Sequence, residues 1–219
     1  MKEFLHQLKN RVLEGYLVTR EDVASLLSIS IEKEEELQEL LEAANEIREK
    51  FCGNFFNLCT ILNAKSGRCS ENCRYCAQSA HFKTNAEIYP LVSKEVALEA
   101  AKEVEEEGAH RFSLVTSGRG LQGEEKELDR LQEIYQYLQK NTKLDLCASH
   151  GICSKEALQK LKDAGVKTYH HNLESSRRFY PSICTSHSFE DRVNTVKYAH
   201  EVGLQVCSGG IFGLGETEE

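Results

Sequence analysis

The chain has 219 residues, 40% of them hydrophobic and 28% charged, with a formal net charge of −8 at pH 7. That length supports one substantial core and requires no second one, and the acidic balance argues against nucleic acid or an anionic membrane surface as the main partner. The opening MKEFLHQLKNRVLEGYLVTR breaks its apolar positions with charges every few residues, so no signal peptide or membrane span is expected and the expected location is cytoplasmic. The cysteines number nine, an odd count, and group at 69, 73 and 76 instead of spreading as a disulfide framework would, which points to metal ligation in a reducing compartment.

Residues 1–50 are expected to form a helical N-terminal extension. Leu37, Leu40, Leu41, Ala44 and Ile47 recur at helical spacing, and Thr19 with Asp22 three positions on resembles a capping box. Residues 51–219 make the main domain. Short apolar runs predict strands near 56–63, 111–116, 144–148, 167–173 and 205–212, and helices near 93–107, 124–140, 154–164 and 188–202. Ser93, Ser154 and Ser188 stand where N-caps belong, and Gly108, Gly165 and Gly203 stop helices just before strands. Repeated strand–helix units of this kind predict an α/β fold with a parallel sheet and right-handed crossovers.

Strand parity adds a second inference. One alternate set carries His170, Asn172 and Glu174, another Cys147 and Ser149, a third Cys207 and Gly209. One sheet face is therefore polar and thiol-bearing; if the sheet curls, that face lines a barrel interior, where such groups need a ligand or one another. Cys52 and Cys59 lie in an apolar run and read as small buried hydrophobes without a role.

The loop SGRCSENCRYCAQS follows the first strand directly, at the end of the sheet where barrel active sites form. A structural zinc wants four ligands, which His81 could complete. A four-iron cluster wants one ligand per iron, so three thiolates leave one iron open to chemistry.

CSENCRYC matches the CxxxCxxC loop of radical S-adenosylmethionine (SAM) enzymes. With CAQSAHFKT after it, YHHNLES, FYPSICTSHSFEDR and VCSGGIFGLGET, the chain from about residue 50 onward resembles the biotin synthase family. The resemblance implies a partial (β/α)8 TIM-type barrel of about five units. It implies a [4Fe–4S] cluster on Cys69, Cys73 and Cys76, with Tyr75 near the adenine of SAM, Asn172 and Glu174 on its ribose and Arg192 on its carboxylate. It further implies reductive cleavage of SAM to a 5′-deoxyadenosyl radical, hydrogen abstraction from dethiobiotin, and sulfur insertion from an auxiliary Fe–S cluster that Cys147 and Cys207 help to hold. A flavodoxin or ferredoxin as electron donor and a homodimer are the partners implied.

Three departures from the family pattern stand out. The chain ends after the fifth strand, where the family's barrel continues through three more units, so this length alone is expected to expose strand edges, to self-associate and not to make biotin. Ser113 stands where the family has a further auxiliary cysteine, so Cys153 or Cys184 is expected to supplement Cys147 and Cys207. His170 replaces a common Asn; with Ser113 it resembles the variant subfamily of anaerobes. The rivals are a hydrogenase maturase or methylornithine-forming radical SAM enzyme, and a non-catalytic Fe–S or zinc-binding fragment.

Overall fold

The computed structural model describes residues 1–217 and divides the chain into two compact units, Met1–Phe56 and Asn57–Glu219. The first unit holds helices α1 (Lys2–Leu13), α2 (Arg20–Leu27) and α3 (Glu34–Cys52). Helix α1 buries Leu5 and Leu8, and Lys9 pairs with Glu46 of α3 at 2.6 Å. Thr19 and Asp22 form the expected capping box at α2.

The second unit alternates strands and helices: β1 (Cys59–Lys65), α4 (Lys94–Glu106), β2 (Arg111–Thr116), α5 (Glu125–Asn141), β3 (Asp145–Ser149), α6 (Lys155–Asp163), β4 (Val166–His170), α7 (Tyr180–Ile183), α8 (Phe189–Glu201) and β5 (Gln205–Cys207). The sheet order is β1-β2-β3-β4-β5, and every neighbouring pair is parallel. A sequential, all-parallel sheet with a helix between each strand and the next is the arrangement of successive units of a (β/α)8 barrel.

The two sheet faces differ as their alternation predicts. Phe112, Leu114, Leu146, Ala148 and Tyr169 point outward into one core with Leu128, Leu131, Tyr135 and Leu138 of α5 and Leu158 and Leu161 of α6. Each fully buried leucine contributes about 1.5–3 kcal/mol. The opposite face carries Asn63, Val115, Ser149 and His170, which line a cavity. The serine caps also form: Ser93, Ser154 and Ser188 each accept a hydrogen bond from the first turn of α4, α6 and α8. Gly108, Gly165 and Gly203 follow their helices with φ of 92°, 106° and 79°.

Three boundaries move. β1 begins at Cys59 instead of residue 56, because its only partner, β2, begins at Arg111 in register with Cys59. β4 ends at His170, not 173, although Leu173 still donates to the Gly209 carbonyl at 2.9 Å. β5 stops at Cys207, where Ser208 and two glycines offer little side chain to pack. Cys52 and Cys59 are both exposed, contrary to the expectation of buried hydrophobes. Cys52 ends a helix, and Cys59 sits on an edge strand with its side chain on the polar face.

Candidate active site

The loop after β1 is shaped by its own polar groups. Cys69 donates its N–H to the Gln78 carbonyl at 3.0 Å, and Ala80 returns one to the Cys69 carbonyl at 2.8 Å. The Gln78 side chain accepts from Gly67 N–H at 2.5 Å and from Ser66 Oγ at 3.0 Å. These bonds fold residues 66–80 back on themselves and present Cys69, Cys73 and Cys76 to one cavity of ≈ 380 Å³.

A second segment clamps this loop. The side-chain Oδ1 of Asn72 accepts from the N–H groups of Thr185 and Ser186 at 2.9 and 3.1 Å, and Arg74 N–H donates to the Ile183 carbonyl at 2.9 Å. Beneath it Glu71, buried, accepts from Ser186 Oγ at 2.8 Å and meets His187 Nδ1 at 2.5 Å. Burial opposes the Glu71 charge, but its bonds from Ser186, His187 and Ser70 hold the carboxyl below its ordinary range.

Tyr75, Asn172, Glu174 and Arg192 line the same cavity as the three thiols. Arg192, on α8, is buried. Its Nε donates to Tyr180 Oη at 2.7 Å and its Nη1 to the Asn172 carbonyl at 2.8 Å, while Glu174 lies at 3.4 Å and Tyr75 Oη at 3.3 Å. Burial works against the guanidinium charge, and Tyr75, Tyr180 and Glu174 more than offset it, keeping the pKa above its usual value. Glu174 adopts φ 68°, a left-handed conformation rare for a side-chain-bearing residue. Its backbone is held by Gly209 and Ile211 across the β5 extension, so the strain is stored beside the cavity. Asn172 Oδ1 bonds His170 Nε2 at 2.9 Å.

The auxiliary candidates separate. Cys147 and Cys207 lie on the polar face of β3 and β5, Cys147 in register with Thr168 and Cys207 with His170. Burial pushes the Cys147 thiol up to about 11. Cys153 instead belongs to the apolar core, with its Sγ 3.0 Å from Tyr169 Oη. Cys184 packs behind Cys73, the sulfurs 3.6 Å apart, and does not line the cavity. With His187 they are the only three residues, among those described, that bring metal-ligating atoms within 4.8 Å of one another. His81 bonds the Ser70 carbonyl at 3.0 Å and joins no such group.

Three contributors escape sequence reasoning. Glu71 and His187 read as ordinary polar loop residues, since their meeting is 116 positions apart. His171 lines the cavity, buried and with no partner on Nε2, and burial lowers it to about 3, so it is neutral. Its place next to Asn172 in YHHNLE was its only signal.

The residues fit a cluster. Burial raises Cys69, and it raises Cys73 to about 12 with Cys184 adding to it. Holding such groups as thiolates takes a cation, which iron supplies. Their ligating atoms lie too far apart for one ion yet share one cavity, and an apolar shell of Tyr180, Ile183 and Phe189 backs Cys73. The buried Arg192 and the Glu174 carboxylate, 3.4 Å apart beside the cavity, would offer opposite charges to a zwitterionic ligand of such a cluster.

A sequential parallel barrel sheet with a three-thiolate loop after its first strand defines an iron–sulfur enzyme site at the C-terminal edge of the strands. The chain belongs to the radical SAM superfamily, whose pattern matches residues 64–219. Membership brings with it a [4Fe–4S] cluster and SAM as cofactors. The chain is 66% identical to the biotin synthase of Fusobacterium nucleatum over 100% of its own length and 61% of that protein. It is 55% identical to the biotin synthase of Campylobacter hominis over 97% of its length and 64% of the relative. It thus spans less than two thirds of these relatives. Among solved structures it superposes on methylornithine synthase with a TM-score of 0.83 at 26% identity, covering 96% of this chain and 60% of that one. An FeFe-hydrogenase maturase from Carboxydothermus hydrogenoformans shares the fold at a TM-score of 0.79 and 24% identity, covering 98% of this chain and 50% of that one.

Proposed function

We propose that this chain carries the SAM-cleaving site of a biotin synthase, the enzyme that converts dethiobiotin to biotin. The observation that supports it best is the convergence of Cys69, Cys73 and Cys76 with Tyr75, Asn172, Glu174 and Arg192 on one cavity, in a chain so similar to biotin synthases. The cluster on those cysteines would supply the electron that cleaves SAM to methionine and a 5′-deoxyadenosyl radical able to abstract hydrogen from unactivated carbon. The protein's part is positional. Arg192 would face the SAM carboxylate, Glu174 and Asn172 would accept from and orient the ribose, and Tyr75 would pack on the adenine. An auxiliary Fe–S cluster held in part by Cys147 and Cys207, deeper on the same sheet face, would supply the sulfur.

The partners follow from that chemistry: dethiobiotin as substrate, a flavodoxin or ferredoxin as reductant, and a second copy of the chain as a homodimer. Nine unpaired cysteines support a reducing, cytoplasmic location. Among the described residues no helix is long and apolar enough to cross a membrane. The fold also suits a methylornithine synthase, given the superposition above. Anaerobic incubation with reductant and SAM, with and without dethiobiotin, separates the two. SAM cleavage enhanced by dethiobiotin, with loss of hydrogen from it, is the expected result. SAM cleavage indifferent to dethiobiotin favours the rival, and no cleavage in either case leaves a metal-binding module.

A further inference from the structure

The polar sheet face bears a third thiol that the motifs do not single out. Alternation along β1 puts Cys59 on the same face as Asn63, which lines the cavity. Cys147 shares its face with Ser149, and Cys207 pairs with His170, both cavity-lining positions. Cys59, Cys147 and Cys207 therefore all face inward.

Their heights along the strands follow a regular step. Cys59 is in register with Arg111 and, through it, with Asp145. Cys147 lies two residues further along β3. Cys147 is in register with Thr168 and, through it, with Gln205, and Cys207 lies two residues further along β5. The thiols thus climb two residues for every two strands crossed. In an eight-stranded barrel with a shear of eight, strands tilt by about 36° and a level layer climbs about one residue per strand; each interior layer draws its side chains from alternate strands. Positions on β1, β3 and β5 with this step lie at one level of the barrel interior. Ser113 is on β2 and belongs to the interleaved set.

We propose that Cys59, and not Ser113, Cys153 or Cys184, is the third protein thiolate of the auxiliary iron–sulfur site with Cys147 and Cys207. The inference rests on the proposed biotin synthase reading for the presence of that cluster. Three further observations bear on it. Cys153 and Cys184 are turned elsewhere, into the apolar core and behind Cys73. Among the described residues the three thiols do not form a set with all sulfurs within 4.8 Å of one another, so they do not make a site for one ion. Arg111 is in register with Cys59, so a guanidinium lies ready to balance bound thiolates. On binding, each thiol gives up its proton to solvent as iron takes its place.

The test removes the SAM cluster first. In a chain with Cys69, Cys73 and Cys76 all replaced by Ala, iron and acid-labile sulfide retained after anaerobic reconstitution report the auxiliary site alone. Adding Cys59→Ala is expected to lower that iron about tenfold or more, as adding Cys147→Ala does, whereas Ser113→Ala and Cys153→Ala leave it at the parent level. Cys59 is exposed on an edge strand, so its truncation leaves no cavity, and far-ultraviolet circular dichroism confirms the fold. Iron retained in the Cys59→Ala variant but lost in Cys147→Ala overturns the proposal. So does iron that falls only with Ser113→Ala. Neither outcome touches SAM cleavage by the parent chain, which tests the underlying reading separately.

Discussion

Arg192 is the residue on which the cavity turns, because one guanidinium serves Tyr180, Tyr75, Glu174 and the Asn172 carbonyl together. Lysine keeps the charge but not the planar fork. Arg192→Lys is therefore expected to weaken SAM binding about tenfold or more, as one charge-assisted bond worth about 1.5–3 kcal/mol is lost; calorimetric titration of the reconstituted protein would show it, and an unchanged Kd would contradict the assignment. Cys184 has a different task. Once Cys73 is a thiolate on iron, the Cys184 S–H 3.6 Å away can donate to it, and donors to cluster sulfurs raise the reduction potential. Cys184→Ala should keep the parent's iron content and lower the cluster potential in an EPR-monitored redox titration. Loss of the iron would make Cys184 a ligand instead.

His150 shows the same logic applied to stability. It is buried between Thr116 Oγ1 at 2.9 Å and Tyr135 Oη at 2.8 Å, tying the end of β3 to α5. Burial lowers its pKa to about 3. Between that value and the unfolded value near 6.5 the unfolded chain binds the extra proton, so stability is fully present above about pH 6.5 and falls as pH drops, by up to about 1.4 kcal/mol per unit. Urea midpoints measured from about pH 6.5 down to pH 5 should fall steeply in the parent and less so in His150→Gln. Equal slopes would mean that other groups set the pH dependence.

At the level of elements, α8 links local sequence to the site. Ser188 and Asp191 make a reciprocal capping box at its start, and Arg192 follows in the same turn. Ser188→Ala should cost about 0.5–2 kcal/mol of stability and weaken SAM binding as the first turn loosens; thermal unfolding and SAM titration on one sample read both effects. Such caps were legible because they depend on residues three apart. So were the glycine stops and the polar parity of β3 and β4. The short β5 was not, since it depends on what Ser208, Gly209 and Gly210 fail to pack. Helix α7 was missed because its single turn is held by the Cys69–Cys76 loop, far away in sequence. The face occupied by Cys59 was hidden by the apolar run around it, and the alternation with cavity-lining Asn63 along the observed β1 reveals it. The three-cysteine loop was readable by spacing, but its clamp of Glu71, Ser186 and His187 spans more than a hundred residues.

For the molecule as a whole, the two sheet faces divide the work. The outward face buys stability through the core shared with α5 and α6, and the inward face gathers thiols, His170 and the polar rim of the cavity. The described sheet runs from β1 to β5 in chain order. The account stands on Cys69, Cys73 and Cys76 acting as one metal centre that cleaves SAM. The most direct test is anaerobic reconstitution of the parent and of Cys73→Ala, followed by reduction with dithionite in the presence of SAM and quantification of 5′-deoxyadenosine. The parent should produce it and Cys73→Ala should produce none above the protein-free background; equal production by both would contradict the account.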